Sequence, residues 1–181
     1  QKCDGLSGDK GATISGAVKA AKLYGICQEA TFPYPGRYVT DVPQAAISEA
    51  ASHRIKNHES LGGYDDCFKW LATGTGVIEI GIPWLGTLAN NTDGIIDRAA
   101  GVEYGGHALA IVGYTKRKDS RGRQYLIMAN SHGREWGANG FAEIAPTLFD
   151  EWGRDSYSEM IGMTDLEEYS NGDGGRWSFI G

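Results

Sequence analysis

Two apolar runs, each adjoining a polar residue suited to catalysis, constrain the fold of this chain more than any other feature. His107 stands directly before the run Ala108 to Tyr114, and Asn130 stands directly after the run Tyr125 to Ala129. Both runs have the length and composition of β-strands and are flanked by turn-forming residues. The sequence therefore predicts a histidine and an asparagine held by neighbouring antiparallel strands.

An imidazole beside an amide oxygen is an arrangement that can activate a thiol. A free thiol is mostly protonated near neutral pH, so a neighbouring imidazole must take its proton to produce the thiolate nucleophile. His107 can take that proton. The side-chain oxygen of Asn130 can accept a hydrogen bond from one ring N–H and so aim the other ring nitrogen at the sulfur. The pair would form half of a thiol-hydrolase site.

The same two segments resemble those of the papain-like cysteine peptidases. In that family the histidine lies in H-A-[VL]-x-[IV]-V-G-Y, and the asparagine opens N-S-W-G-x-x-W-G-x-x-G-[YF]. Residues 11–34 are also similar to the helix that follows the family's nucleophile, and the resemblance extends over about residues 3–165. The residues that fall on the two motifs are His107, Ala108, Gly113, Tyr114, Asn130, Ser131, Gly133, Trp136, Gly137, Asn139, Gly140 and Phe141.

The resemblance implies an α+β fold of the papain-like class. This chain would supply mostly the antiparallel, β-barrel-like histidine domain, together with a helix of the nucleophile domain. We expect residues 1–168 to form a single papain-like domain without its nucleophile segment, and residues 169–181 to form a tail or the start of a further segment. The length of 181 residues and the hydrophobic content of 41% suit one packed domain.

The nucleophile expected from the resemblance has no counterpart in this sequence. The family carries it in Q-G-x-C-G-x-C-W, which does not occur here. Cys3 stands where the family has a structural half-cystine, Cys27 follows a helix end, and Cys67 lies in a predicted short helix as a small buried hydrophobe. None of the three has the helix N-terminal setting that lowers the pKa of a thiol.

Two interpretations of function stay open. The first is a cysteine endopeptidase, a thiol protease that hydrolyses peptide bonds through a thioester, with its nucleophilic cysteine upstream of Gln1. The second is a catalytically inactive papain-like module with a structural or binding role in a larger protein or an assembly such as a virion. Both ends of the chain have the composition of a piece of a longer polypeptide, which favours the first interpretation.

Several residues around the pair are expected to bind substrate or support the site. Gly11 and Ala12 stand where the family has glycines whose backbone binds an extended substrate peptide, and Gly106 gives backbone freedom just before the histidine. Trp136 is expected to pack against the histidine and asparagine. His132 replaces the tryptophan that shields this pair in most of the family, so it predicts either a more pH-sensitive pairing or a structurally neutral change.

Composition limits the partners. A net charge of −6 and a pI near 5.2 argue against nucleic acid. The basic run 116–118 with Arg121 and Arg123 is interpreted as a solvated hairpin turn. The sequence contains no run of about eighteen apolar residues, so it predicts no membrane span. The expected partners are a peptide or protein substrate and, in addition, the missing N-terminal segment or other subunits of a larger assembly, whereas the cellular compartment stays open.

No cofactor and no metal site are expected, and His53 and His58 are interpreted as facing solvent. The remaining secondary structure follows from apolar periodicity and from glycine and proline positions. The predicted elements are helices over Thr13 to Tyr24, Pro43 to about Asn57 and Tyr64 to Leu71, and strands over Gly76 to Ile82, His107 to Tyr114, Gln124 to Ala129 and Gly140 to Ile144.

Overall fold

The computed structural model describes residues 11–37 and 39–164. The expectations for Cys3 and for the segment 169–181 lie outside these residues. The helices are α1 (Ile14–Leu23), α2 (Gln44–Ala50), α3 (Tyr64–Ala72), α4 (Gly86–Ala89) and α5 (Pro146–Trp152), and the strands are β1 (His58–Ser60), β2 (Val77–Leu85), β3 (Ile95–Ile96), β4 (Glu103–Lys118), β5 (Gln124–Ala129), β6 (Phe141–Ile144) and β7 (Glu159–Met163).

The strands form one sheet in the order β1-β7-β2-β4-β5-β6-β3. All neighbouring strands are antiparallel except β3 and β6, which are parallel. The described part of the chain is thus an α+β structure, as the sequence predicts. Because β1 and β3 lie at opposite edges, the sheet is open, and the barrel-like closure implied by the resemblance is not complete.

The core follows from the alternation of side chains along β2. Ile78, Ile80, Ile82 and Trp84 are buried on one face, since successive side chains of a strand point to opposite faces. Residues of β4, β5, α3 and α5 complete the same core. The predicted strand Gly76 to Ile82 is therefore confirmed, and it continues to Leu85.

Helix α1 forms where the sequence predicts it. The Thr13 hydroxyl caps its first turn by accepting a hydrogen bond from the Gly16 N–H at 3.0 Å, and Gly25, with φ of +85°, ends it. The helix packs on the sheet at Gly81, where a Cβ would lie 2.6 Å from Ile14 Cγ1. The Ser15 N–H donates to Glu159 Oε2 on β7 at 3.1 Å. These contacts fix the start of α1 beside β2 and β7.

The second predicted helix is too long. Helix α2 ends at Ala50, not near Asn57. Beyond it, the His53 carbonyl accepts from the Ile26 N–H at 3.1 Å, and the Asn57 N–H donates to Thr164 Oγ1 at 3.0 Å. These tertiary hydrogen bonds draw the backbone out of the helix towards β1, and they outweigh a weak local helix propensity.

The basic run belongs to a β-hairpin, as predicted. The Asp119 N–H donates to the Arg123 carbonyl at 2.9 Å across the turn between β4 and β5. Arg117 pairs with Glu143 at 2.6 Å, and Arg123 pairs with Asp119 and with Asp150. Two of the five basic residues are thus already neutralised by carboxylates of this chain.

Within residues 11–37 and 39–164, no helix has both the length and the apolar composition needed to cross a membrane.

Candidate active site

His107 and Asn130 meet at the border of β4 and β5. The strands pair so that Ala110 lies opposite Ala129, the residue before Asn130. The Asn130 N–H donates to the Gly140 carbonyl at 3.0 Å, which fixes the asparagine backbone. His107 Nε2 lies 2.9 Å from Asn130 Oδ1. The structure therefore joins the two residues that the sequence singled out by a direct side-chain hydrogen bond.

This bond selects a tautomer of the ring. A side-chain amide oxygen can only accept, so Nε2 of His107 carries the hydrogen and donates it to Asn130 Oδ1. In the neutral imidazole, Nδ1 then keeps its lone pair and can accept a proton. The hydrogen bond to Asn130 therefore leaves Nδ1 as the free basic nitrogen of the ring.

One detail of the prediction for His107 is wrong. The sequence placed it at the start of its strand, whereas β4 begins at Glu103 and His107 lies inside it. The register continues past the histidine, with Gly106 opposite Pro83 and Glu103 opposite Leu85. Backbone pairing with β2 extends the strand, so the residues before and after His107 are both held by β2. Sequence periodicity does not reveal this pairing.

Three aromatic side chains form a group beside His107. The ring of Trp84 lies 4.4 Å from that of His107 at an angle of 50°, and the ring of His132 lies 4.7 Å from it at 37°. Trp136 lies 6.1 Å from Trp84 and donates from Nε1 to the Leu88 carbonyl at 2.7 Å. Trp136 thus joins the aromatic group through Trp84 and is anchored to the core.

Trp84 was missed by sequence reasoning. A usable signal existed, because the alternation Ile78, Ile80, Ile82 reaches Trp84 at the next position of the same face. What the sequence did not provide is the register that sets Ile82 opposite His107.

A cleft of about 1000 Å³ opens beside His107. It lies between the start of α1 and strands β2, β4 and β7, and its lining includes Ala12, Gly106 and His107. Gly11 precedes Ala12 but does not belong to the lining. Among the described lining residues the charged side chains are all carboxylates, from Glu103, Asp155 and Glu159. The structure thus brings two of the expected support residues to the histidine.

Neither Cys27 nor Cys67 lies in the lining of this cleft. Cys67 is fully buried, as predicted, with its Sγ 3.6 Å from Met160 Sδ. Burial raises the pKa of Cys67 to about 12, with a smaller contribution from Asp66. A thiol of this kind stays protonated and has no access to substrate. Both described cysteines are free thiols.

No group of three or more histidine, cysteine, aspartate or glutamate side chains in the described ranges is arranged to hold a metal ion. His58 is exposed on β1, as expected. His53 departs from the expectation of a solvent-facing ring. It is half-buried and its Nδ1 is enclosed, because the loop after α2 packs against Gly25 and Ile26.

The pKa of His132 is lowered from its usual 6.5. The main cause is desolvation of the ring, and the second is the charge of His107. A depressed pKa means that the folded state favours neutral His132. Its contribution to stability is present above pH 6.5 and is lost as the pH falls through the lowered pKa.

We therefore expect His132→Phe to gain thermal stability relative to the unmodified protein as the pH falls from 8 to 5. Melting temperatures of both proteins at the two pH values would measure this. The matched control is His58→Phe, a histidine on the exposed edge strand away from the site. An equal pH dependence for the two variants would contradict the prediction.

The hydrogen-bonded pair His107 and Asn130 beside a cleft can be compared with the sites of known protein families. A sequence model described as papain family cysteine protease matches residues 1–161. The chain belongs to this family, as its two motifs predicted.

Particular relatives fit the same class. The chain is 29% identical to cathepsin J of Mus musculus over 182 residues, which covers 93% of this chain and 49% of that protein. It is also 29% identical to falcipain-2a of Plasmodium falciparum (isolate 3D7) over 147 residues, covering 76% of this chain and 29% of that protein. The chain spans about half, or less, of the length of these relatives.

Solved structures show the same fold at lower identity. Xylellain, a cysteine protease from Xylella fastidiosa, has a TM-score of 0.67 at 18% identity and covers 87% of this chain and 63% of its own. The bromelain protease from Ananas comosus has a TM-score of 0.65 at 20% identity, with 90% and 74% covered. The papain-like fold is thereby confirmed for this chain.

Proposed function

We propose that this chain supplies the histidine and the orienting amide of a cysteine peptidase whose nucleophilic thiol belongs to a part of the polypeptide outside these 181 residues. The observation that carries the proposal is the hydrogen bond between His107 Nε2 and Asn130 Oδ1 beside an open cleft. The two described cysteines lie away from that cleft, and Cys3, outside the described residues, stands where the family has a structural half-cystine.

The reaction would be hydrolysis of a peptide bond through a thioester. His107 Nδ1 takes the proton of the thiol, and the thiolate attacks the substrate carbonyl. The imidazolium then gives its proton to the leaving amine as the C–N bond breaks. In the second half, His107 takes a proton from water, whose oxygen attacks the thioester. The C–S bond breaks to release the carboxylic acid, and the thiolate regains the proton from His107. Asn130 holds the ring throughout.

The substrate would be a peptide or protein bound in the cleft. Ala12, just before α1, and Gly106, on β4, both line it. Backbone groups at Gly11 and Ala12 can pair with an extended peptide as an added strand would. A Cβ at Gly106 would meet no atom within 4 Å, so substrate can approach the backbone there.

The alternative, an inactive module with a structural or binding role, is not favoured. The family match and the formed hydrogen bond both support a working peptidase. Nothing in the described residues requires the site to be closed or disrupted.

Intact mass and N-terminal sequencing of the natural polypeptide, followed by labelling with an epoxide that alkylates activated thiols, test the proposal. We expect one cysteine outside the 181 residues to be labelled, with labelling lost in His107→Ala and retained in the control His58→Ala. A natural polypeptide with no labelled cysteine would mean that the chain serves as a papain-like scaffold.

A further inference from the structure

We propose that Trp84 is a positioning residue that shields the His107–Asn130 hydrogen bond from water, a task that His132 does not perform in this chain. The inference rests on the proposed function, since it assigns a role within that site. The sequence predicts for His132 either a more pH-sensitive pairing or a structurally neutral change, and it indicates no other residue for this task.

Trp84 and His132, the two side chains that could shield the hydrogen bond, differ in burial. Trp84 is 6% exposed and its ring lies 4.4 Å from that of His107. His132 also contacts the His107 ring, at 4.7 Å, but its own side chain is exposed. An exposed imidazole carries two polar nitrogens that bind water, so it excludes water from its neighbour less well than a buried indole does. A buried indole covers a larger area and keeps that area dry.

The fold holds Trp84 in place from several directions. It is the last member of the buried face of β2, after Ile82, which lies opposite His107 in the register. The register shifts between Pro83 and Leu85, yet Trp84 keeps its place on the buried face. The ring of Trp136 lies 6.1 Å from Trp84 on the core side. The indole is therefore fixed by the core.

His132 has a different relation to the group. Its ring meets Trp84 edge-on, at 5.4 Å and 87°. His132 is exposed to solvent and contacts the indole of Trp84, which in turn covers His107. Both rings contact His107, but only the ring of Trp84 is buried.

The shield matters because the hydrogen bond competes with water. A side-chain hydrogen bond that is open to solvent contributes little net free energy, since water can replace either partner. Covering the bond keeps the proton on Nε2 and holds Nδ1 in its catalytic direction. Loss of the cover should therefore change the orientation of the ring more than the binding of substrate.

Histidine-labelled NMR of the natural polypeptide gives a readout that does not depend on turnover. It follows the Nε2 proton of His107 and the rate at which this proton exchanges with water. We expect Trp84→Ala to speed exchange by about tenfold or more, the equivalent of about 1.4 kcal/mol in the opening equilibrium. Trp84→Phe should restore most of the protection, and His132→Ala should leave the rate within about threefold of the unmodified protein.

Trp136→Phe is the control for general loosening of the core, because it alters a neighbouring tryptophan of the same aromatic group. If Trp84→Ala does not fold, Trp84→Leu takes its place and is expected to give intermediate exchange. Unchanged exchange in the Trp84 variants, or faster exchange in His132→Ala than in Trp84→Ala, would overturn the inference.

The kinetics of the same variants supply a second readout. We expect kcat to fall in Trp84→Ala with little change in KM, since the substrate contacts remain. The NMR measurement needs no active thiol, so it tests the shield even if epoxide labelling finds none. Failure of the shield and failure of the proposed function are therefore separate outcomes.

Discussion

Replacing His107 by alanine is expected to lower kcat/KM of the natural polypeptide for a peptide substrate by roughly 10²–10⁴-fold. The methyl group cannot take the thiol proton or return it to the leaving amine. The 2.9 Å hydrogen bond to Asn130 is lost at the same time. Steady-state kinetics on a fluorogenic peptide, with active thiol titrated separately, would measure the change.

Two controls test whether the loss of kcat/KM comes from the missing imidazole of His107. His58→Ala removes an exposed histidine from β1 and should leave kcat/KM unchanged. The melting temperature of His107→Ala should stay close to that of the unmodified protein, because His107 is only half-buried. Retention of more than about a tenth of the activity in His107→Ala would exclude this histidine as the general base, since that role contributes at least about 10²-fold.

The sequence predicted the pair His107 and Asn130 better than it predicted the residues around that pair. His107 and Asn130 were found because each adjoins a strand with clear local periodicity, and the structure joins them directly. Trp84 was missed because its proximity to His107 depends on the pairing of β2 with β4. Pairing between distant segments leaves no periodic trace in either segment.

The errors in the fold have the same physical origin. The predicted helix over Pro43 to Asn57 ends early because its last residues form hydrogen bonds to Ile26 and Thr164, which are distant in sequence. Strand β4 extends to Glu103 because β2 pairs with it there. Local patterns located these elements, but long-range hydrogen bonds decided where they end.

Replacing Phe149 by alanine is expected to lower the free energy of unfolding by about 3–5 kcal/mol. Its side chain is fully buried in α5 and packs edge-on against Trp152 at 5.3 Å, so truncation removes apolar contacts and leaves a cavity. Urea unfolding should show a lower midpoint with an unchanged slope. The matched control is Tyr34→Ala, an aromatic residue that is 79% exposed, which should shift stability by less than about 0.5 kcal/mol.

The effect of Phe149→Ala on chemistry should be small for the molecules that remain folded. Helix α5 packs on β5 from the core side, and Phe149 does not line the cleft beside His107. Activity per folded molecule should therefore stay near that of the unmodified protein, while the folded fraction falls with temperature. If the turnover of fully folded Phe149→Ala dropped as far as that of His107→Ala, the core behind β5 would set the position of Asn130. The hydrogen bond to Gly140 would then be insufficient to hold the amide in place.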